Sequence, residues 1–325
     1  MIFSKKSLLL VFFLAVLVVM LAIPALQGIQ RDPDDNEIRF TDDDSIRSLK
    51  FKIEKMRDVM RRDGDTFQIE INPAVLVPLD QLCTLKEGLK TVDSSLHEAK
   101  NPELNEALAL PTSYTGYFTI PKDQMSCGSC WAFSTLGEVE AVILKNTGTT
   151  YDLSEQHMLD CNPYGYSCSG GWFAFGMCIP PNYPRLESCY PYVGVKQTCK
   201  TSCPSAGVYI NNWYYIGTSS SVPTVTNIKN AIYNYGSVSA AVVVNTYFQA
   251  YSSGCFSRKV NGSVNHGIVL CGWNDTTPCS SGAWLLKNSW GTSWGTTAPG
   301  TTTRGFMWIQ YGVAKVGYAA CYAVY

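Results

Sequence analysis

Residues 124–134 read Gln-Met-Ser-Cys-Gly-Ser-Cys-Trp-Ala-Phe-Ser, and this stretch decides how the rest of the chain is interpreted. The apolar residues that follow recur at three-to-four spacing and predict a helix beginning near Cys130: Phe133, Leu136, Val139, Val142 and Ile143. Ser129 is a candidate cap for its first turn. A thiol at a helix N-terminus lies near the positive end of the helix dipole, which favours the thiolate. Because the side-chain amide of Gln124 can donate to an oxyanion, the stretch contains two parts of an acyl-transfer site.

The bulk composition is that of a globular protein. Of the 325 residues, 46% are hydrophobic and only 16% are charged, which excludes an intrinsically disordered chain. A chain of this length has room for two or three domains. The formal net charge is −1, so neither nucleic acid nor an anionic membrane surface is expected as the main partner.

The first 28 residues have the pattern of a secretory signal. Lys5 and Lys6 precede an apolar run from Leu8 to Ile23, and small residues follow up to Gly28. The pattern predicts a signal peptide over residues 1–28. Because the run is long for a signal, an uncleaved membrane anchor over residues 8–26 is the alternative interpretation, and it would give the protein a stable membrane partner.

The cysteine content points to the same compartment. Thirteen cysteines behind such a segment predict an oxidising environment and several disulfides. Asn261 and Asn274 stand in N-glycosylation sequons, which predicts a glycoprotein. We therefore expect the secretory pathway, with the lysosome, the vacuole or the extracellular space as the destination.

Residues 29–110 differ in composition from the rest of the chain, because they contain one cysteine, Cys83, and no tryptophan. Five apolar residues on one face predict a helix that Gly64 ends: Ile46, Leu49, Ile53, Met56 and Met60. Alternation through Phe67, Ile69 and Ile71 predicts a strand, and Leu79, Leu82, Leu85 and Leu89 predict a second helix. The region is either a small helical domain or a removable pro-segment.

From residue 111 onward the pattern predicts helices first and strands later. Helices are expected at 130–145, 153–161, where Ser154 is the cap, and 224–235. Strands are expected at 208–216, 238–244, 266–273, 284–288 and 305–311, and the Thr-rich stretch 296–303 is expected to be an exposed loop. This order favours an α+β enzyme of two lobes.

A base for the thiol has to come from three histidines. His97 lies in the early region, and His157 lies inside a helix pattern where a packed or surface role is expected. His266 begins an apolar strand, and Asn288 follows it in a segment rich in tryptophan. An Asn that accepts a hydrogen bond from one ring nitrogen leaves the other nitrogen facing the thiol. Neighbouring tryptophans would shield that bond from water.

Four blocks in this order resemble those of the papain family of cysteine peptidases, the lysosomal cathepsins included: 124–134, 153–161, 167–171 and 264–295. The resemblance covers roughly residues 111–325. It implies an α+β papain-like fold of two lobes, with a helical left lobe and a β-barrel-like right lobe. It also implies that residues 29–110 are a helical, inhibitory pro-segment and that the mature chain begins near Leu110.

The resemblance also implies roles for individual residues. Cys130 is similar to the nucleophile, His266 to the general base and acid, Asn288 to the residue that orients the imidazole, and Gln124 to part of the oxyanion hole. Seven further residues fall where the family binds substrate, as backbone partners or as the lining of the specificity pocket: Gly170, Gly171, Trp172, Phe173, Ala241, Val264 and Gly267. Met125 stands where the family has glycine.

The function that these resemblances imply is a cysteine endopeptidase that works through a thioester acyl-enzyme and is made as a zymogen. Its expected partners are peptide or protein substrates, its own pro-segment as inhibitor, and cystatin-like inhibitors. No cofactor or metal is needed. Zinc at Cys127 and Cys130 is disfavoured by the secretory context. The competing interpretations are a catalytically silent papain-like binding protein and acyl transfer to an amine.

The cysteine pairs are partly implied by the resemblance, which gives Cys127–Cys168, Cys161–Cys199 and Cys255–Cys321. Spacing alone gives Cys178–Cys189 and Cys271–Cys279. These pairs leave Cys203 without a partner among them, and it is expected to be free or paired in some other way.

Overall fold

The structure, a computed structural model, describes residues 38–89, 97–98 and 109–325. The predicted signal peptide or anchor over residues 1–28 therefore lies outside the described residues. From Arg39 onward the described residues belong to one compact unit. Within these ranges, no helix combines the length and the apolar character that a membrane span needs.

Helix α1, Ile46–Asp63, follows from its sequence pattern. The hydroxyl of Ser45 accepts a hydrogen bond from the Ser48 N–H at its start, and Gly64 ends it with a φ of 77°. The predicted apolar face is buried (Leu49, Ile53, Met56 and Met60), whereas Ile46 is exposed. The predicted strand after it is reduced to the two residues of β1, Gln68–Ile69.

The second helix predicted for the early region is wrong beyond its first turn. Helix α2 spans only Leu79–Leu82, and the chain then runs extended to a short 3₁₀ turn at Glu87–Leu89. The reason is tertiary, because the backbone groups bond across the cleft and not to the preceding turn. The Leu85 N–H donates to the Asn265 carbonyl, and the Lys86 N–H donates to the Gly171 carbonyl.

Two helices dominate the first half of residues 111–325. Helix α3, Cys130–Thr147, is buried without interruption from Cys130 to Ile143, and Gly148 ends it with a φ of 69°. Ser129 does not cap α3, because its side chain bonds elsewhere. Helix α4, Glu155–Cys161, has the predicted cap, since the Ser154 hydroxyl accepts from the His157 N–H. A 3₁₀ turn follows at Phe175–Cys178.

The strands have these bounds: β2 Ser113–Thr115, β3 Asn212–Tyr215, β4 Val238–Val242, β5 Tyr251–Ser253, β6 Cys255–Phe256, β7 His266–Asn274, β8 Ala283–Lys287, β9 Thr296–Thr297, β10 Arg304–Gln310 and β11 Tyr318–Val324. Two helices lie between them, α5 Val225–Tyr235 and α6 Thr246–Gln249. All five predicted strands are present. The Thr-rich stretch is not wholly a loop, since β9 pairs with β10.

Nine of these ten strands form one sheet in the order β3-β11-β4-β7-β8-β10-β6, with β2 on β7 and β9 on β10, whereas β5 pairs with β1. Strand β7 lies between β4 and β8 and is antiparallel to both. Antiparallel pairing brings the end of β8 beside the start of β7, so Asn288 and His266 become neighbours although 22 residues separate them. Helix α3 packs against β7. The sheet therefore presents these residues to the start of α3.

Four disulfides form among the described residues: Cys127–Cys168, Cys161–Cys199, Cys189–Cys203 and Cys255–Cys279. The first two are those that the family resemblance implies, and their formation contradicts a zinc cluster at these cysteines. The predicted pairs Cys255–Cys321, Cys178–Cys189 and Cys271–Cys279 are wrong, and Cys203 is paired with Cys189. Cys321 lies inside β11 with its sulfur against the Ser239 carbonyl, whereas Cys255 and Cys279 pack together with Ala283.

Candidate active site

Cys130 is the first residue of α3 and is completely buried. Its sulfur accepts hydrogen bonds from backbone N–H groups, among them those of Trp131 and Gly267. The bond from Trp131 joins the thiol to its own helix. Because Gly267 directly follows His266, the bond from Gly267 joins the thiol to the start of β7. The Gly267 backbone is so close to α3 that a Cβ there would lie 3.1 Å from the Cys130 carbonyl oxygen.

His266 and Asn288 form the hydrogen bond that the sequence predicts, with 2.8 Å between the imidazole Nε2 and the amide Oδ1. Both side chains are buried, and the ring of Trp290 covers the imidazole at 4.9 Å between centroids. Among the described residues, Nδ1 of His266 has no hydrogen-bond partner. This nitrogen is therefore the one left to serve the thiol.

The other two histidines lie elsewhere. The ring of His157 packs edge-on against Tyr190 at 5.7 Å, and burial lowers its pKa to about 4. The ring of His97 stacks on Trp213. Neither contributes to the site.

Gln124 is completely buried close to the start of α3, where its side chain contacts Cys127. Its Nε2 donates to the carbonyl oxygens of Leu82 and Cys127 at 3.0 and 2.9 Å, and the Ser289 hydroxyl donates to its Oε1 at 2.7 Å. The amide is therefore held with an N–H group toward the cleft. There the Leu82 carbonyl oxygen of the early region already accepts a hydrogen bond from it.

Tyr192 supports the same corner of the site, and sequence reasoning missed it. Its hydroxyl donates to the Gln124 backbone carbonyl at 2.9 Å and bonds the Ser129 hydroxyl at 2.6 Å. Its ring packs edge-on against Phe133. No periodicity or motif marks such a contact, since Tyr192 lies in an irregular segment 68 residues from Gln124.

The extended segment Leu82–Lys86 lies in the cleft directly over these groups. Besides the two backbone bonds already described, Leu85 forms a parallel bridge with Gly171, and the Thr84 hydroxyl donates to the Gly128 carbonyl at 2.5 Å. Gly170 has a φ of 129°, and a Cβ there would lie 2.5 Å from the Thr84 carbonyl oxygen. Glycine is therefore required for this close backbone approach.

Four of the pocket residues predicted from the resemblance share one apolar cluster with the side chain of Leu85. Leu85 is buried in one apolar cluster with Trp172, Phe173, Ala241 and Val264. Sequence reasoning missed another member, Ala319 of β11, which lies in the same cluster. Gly267, also predicted for the pocket, contacts Cys130 and the Ser134 hydroxyl instead.

The early region is anchored outside the cleft as well. Strand β1 pairs antiparallel with β5, and Gln249 donates to the Ala74 and Val77 carbonyls at 2.7 and 2.8 Å. Asn72 returns a bond to the Gln249 carbonyl at 3.1 Å. Arg258 forms ion pairs with Asp63 and Asp65. The segment in the cleft is thus held from its N-terminal side.

Burial under the segment keeps both reacting groups neutral. Desolvation raises the pKa of the Cys130 thiol, although hydrogen bonds from Gly267, Thr84, Trp131 and Leu85 oppose the shift. Desolvation lowers the pKa of His266 to about 4, against the hydrogen bond with Asn288 and the influence of the nearby Leu82 carbonyl. A thiolate–imidazolium pair is therefore not favoured while residues 82–86 cover the site.

The geometry defines a Cys–His–Asn site with an amide donor beside it, covered by the chain's own N-terminal region. The family model described as papain family cysteine protease matches residues 112–323. The chain therefore belongs to this family, and it is a papain-like cysteine peptidase with an N-terminal pro-segment.

Individual relatives agree. Ananain of Ananas comosus is 28% identical over 281 residues, covering 82% of this chain and 76% of ananain. The thiol protease aleurain of Arabidopsis thaliana is 33% identical over 250 residues, covering 73% of this chain and 62% of aleurain. The alignment with fruit bromelain of Ananas comosus is shorter, 178 residues, and spans 48% of that protein.

Solved structures share the fold. Digestive procathepsin L 3 of Tenebrio molitor superposes with a TM-score of 0.68 at 24% identity, over 86% of this chain and 90% of that one. The bromelain protease of Ananas comosus, solved in complex with the E64 inhibitor, gives a TM-score of 0.56 at 29% identity, over 66% and 99% of the two chains.

Proposed function

We propose that this chain is a cysteine endopeptidase that is made as an inactive zymogen, with Cys130 as the nucleophile. The observation that carries the proposal is the arrangement at the start of α3. There the residue with the buried thiol, at a helix N-terminus, packs against Gly267, which directly follows an imidazole oriented by Asn288, and a peptide segment of the same chain bonds to the groups around them.

In the uncovered site, His266 takes the proton of Cys130, and the thiolate attacks the carbonyl carbon of a peptide bond. The Gln124 amide and the Cys130 N–H donate to the oxyanion, and one such donor contributes roughly 3–4 kcal/mol to the transition state. His266 then protonates the leaving amine, which departs and leaves a thioester. The same imidazole activates water to hydrolyse that thioester and restore the thiol.

The zymogen is inactive because residues 29–110 act as the pro-segment. Its Leu82 carbonyl occupies the Gln124 donor, and its backbone occupies the groove at Gly171. Removal of the segment near Leu110 leaves a peptidase domain of residues 111–325, a boundary supported by the family match from residue 112. Water returning to the cleft reverses the desolvation that now keeps the thiol and the imidazole neutral.

The specificity pocket binds an apolar side chain of about the size of leucine. Leu85 of the pro-segment is the internal substitute for that side chain, and it is buried among aromatic and small aliphatic residues. Burying such a side chain contributes about 1.5–3 kcal/mol to binding. Gly170 and Gly171 receive the backbone of the substrate, as they receive the backbone of the pro-segment.

The protein acts in the secretory pathway, in a lysosome or vacuole or outside the cell. Four disulfides support an oxidising compartment. Asn261 lies on the surface and Asn274 at the end of β7, and both are proposed glycosylation sites. Once the pro-segment has left, the open groove is the surface that a cystatin-like inhibitor would bind.

The test uses the full chain, activated by acid in the presence of a thiol reductant and then profiled on a peptide library. Because Thr84 and not Leu85 lies beside Gly128 at the start of α3, cleavage is expected one residue beyond an apolar residue of leucine size, and Cys130→Ser is expected to abolish it. Cleavage by this variant would refute the role of Cys130. If the wild-type chain neither cleaves peptides nor reacts with a thiol-directed epoxide, it is the catalytically silent binding protein. Product mass with and without an added amine separates hydrolysis from acyl transfer.

A further inference from the structure

Cys83 is the only cysteine of residues 29–110, and it lies in the cleft. Its N–H still bonds the Leu79 carbonyl at 2.8 Å, but the chain leaves helix α2 at this residue and enters the extended segment. The thiol is buried and belongs to no disulfide. An aliphatic side chain would fill a buried position in this segment as well as a thiol does, so packing alone does not explain a cysteine here.

The residues on both sides of Cys83 contact the catalytic groups. The Leu82 carbonyl accepts from the Gln124 side chain at 3.0 Å, and the Thr84 hydroxyl donates to the carbonyl of Gly128, two residues before Cys130, at 2.5 Å. Cys83 therefore lies at the start of α3, between two residues that contact the neighbours of Cys130. Burial raises the pKa of the Cys83 thiol well above its usual value, and the charge of an ionised Cys130 raises it further.

We propose that Cys83 and Cys130 form a reversible disulfide that locks the pro-segment over the active site in an oxidising compartment. The proposal rests on the proposed role of Cys130 as the nucleophile. A low-molecular-weight disulfide is the oxidant. One thiolate attacks it and releases one thiol, the second thiolate then displaces the other, and the two cysteines end as a cystine while the oxidant ends as two thiols.

The lock adds a control that acid alone does not provide. Hydrogen bonds and ion pairs between the pro-segment and the peptidase domain weaken when carboxylates are protonated, whereas a disulfide bond does not respond to protonation. Activation of the oxidised zymogen therefore requires a thiol reductant in addition to acid. A peptidase made in the oxidising secretory pathway stays inactive until it reaches a reducing compartment.

The first experiment identifies the bond in the full-length chain. The protein is equilibrated at neutral pH with oxidised and reduced glutathione, its free thiols are alkylated, and the unreduced digest is analysed by mass spectrometry. A peptide pair that joins Cys83 to Cys130 is expected, and it should disappear after reduction. The proposal is overturned if Cys83 is recovered alkylated, or joined to glutathione, in chains that contain the Cys127–Cys168 disulfide.

The second experiment measures attachment of the pro-segment and does not depend on the activity of Cys130. The oxidised chain is cleaved near Leu110 at acid pH by added pepsin and then run on a gel without reductant. The wild-type chain is expected to keep the pro-segment attached in at least about a tenfold larger fraction than Cys83→Ala, since both thiols belong to one folded chain and have a high effective concentration. Reductant should remove the difference.

Cys178→Ala is the matched control, because Cys178 is also a buried free thiol but lies in the 3₁₀ turn at Phe175–Cys178. This variant should behave like the wild-type chain. Equal attachment in wild type and Cys83→Ala would refute the lock. Peptide cleavage after reduction and acid treatment then decides the proposed function separately, since that activity needs Cys130 and not Cys83.

Discussion

Glu138 gives the sharpest prediction about stability, because it places a carboxyl group in the middle of helix α3 with no exposure to solvent. One oxygen accepts from the Ala323 N–H at 2.8 Å, and the other has no hydrogen-bond partner among the described residues. Desolvation raises the pKa of this carboxyl well above its usual value of 4.5, against the hydrogen bond from Ala323. The folded protein therefore holds the carboxyl in its protonated form.

The sign of the pH effect follows from the proton count. Above the unfolded pKa, the unfolded chain releases a proton that the folded chain keeps, so the free energy of unfolding falls as pH rises. The slope is about 1.4 kcal/mol per pH unit. The contribution of Glu138 is fully present below pH 4.5 and is lost as the pH rises toward the folded pKa. From pH 4.5 to pH 7 the loss amounts to about 3 kcal/mol.

The variant Glu138→Gln keeps the shape of the side chain and cannot ionise. Relative to its parent, it is expected to be nearly neutral at about pH 4.5 and more stable by about 3 kcal/mol at about pH 7. Urea unfolding followed by tryptophan fluorescence measures both values. Both chains carry Cys130→Ala, which prevents self-digestion. Other buried acids contribute to each chain alike and cancel in the difference.

Two parallel stability profiles would refute the reasoning. They would mean that Glu138 ionises inside the fold with the help of a group that solvates it, so that no proton is taken up on folding.

The remaining predictions concern the cleft. Leu85→Ala leaves an unfilled pocket and weakens binding of the pro-segment in the cleft by about 2–5 kcal/mol. Cys130 in the intact zymogen should therefore be alkylated at least about thirtyfold faster at neutral pH. An unchanged rate would contradict the assignment of Leu85 to the pocket. Gln124→Ala removes one oxyanion donor, so kcat of the activated enzyme should fall about 10²–10³-fold with little change in KM. A change confined to KM would mean that Gln124 only binds the substrate in its ground state.

Local pattern sufficed wherever an element is specified by its own residues. The apolar spacing behind Cys130 predicted α3, and the apolar run after His266 predicted β7, because each element buries the residues that its sequence makes apolar. The bond between His266 and Asn288 was predictable from residue chemistry, since an imidazole that serves as a base needs an acceptor for its second nitrogen.

Prediction failed where a distant partner decides the outcome. The leucines from 79 to 89 have helical spacing, but Leu85 gains more by filling a pocket of the peptidase domain than by continuing a helix. Cys255 has Cys279 as its partner because β6 and the loop before β8 meet in the fold. No rule based on the spacing of cysteines predicts this meeting. Ala319 and Tyr192 reach the site from segments without a motif.

The pro-segment inhibits in two physically separate ways, and the distinction matters for activation. Steric occupation of the groove excludes substrate, which any tightly bound peptide would do. Removal of water from Cys130 and His266 also raises the pKa of the thiol and lowers that of the imidazole. The stable state of the zymogen is therefore the neutral, catalytically inactive pair. A zymogen that only excluded substrate would still react with small alkylating agents. One that also desolvates its nucleophile resists them, and its reactivity returns when water reaches the cleft, before the pro-segment is cut.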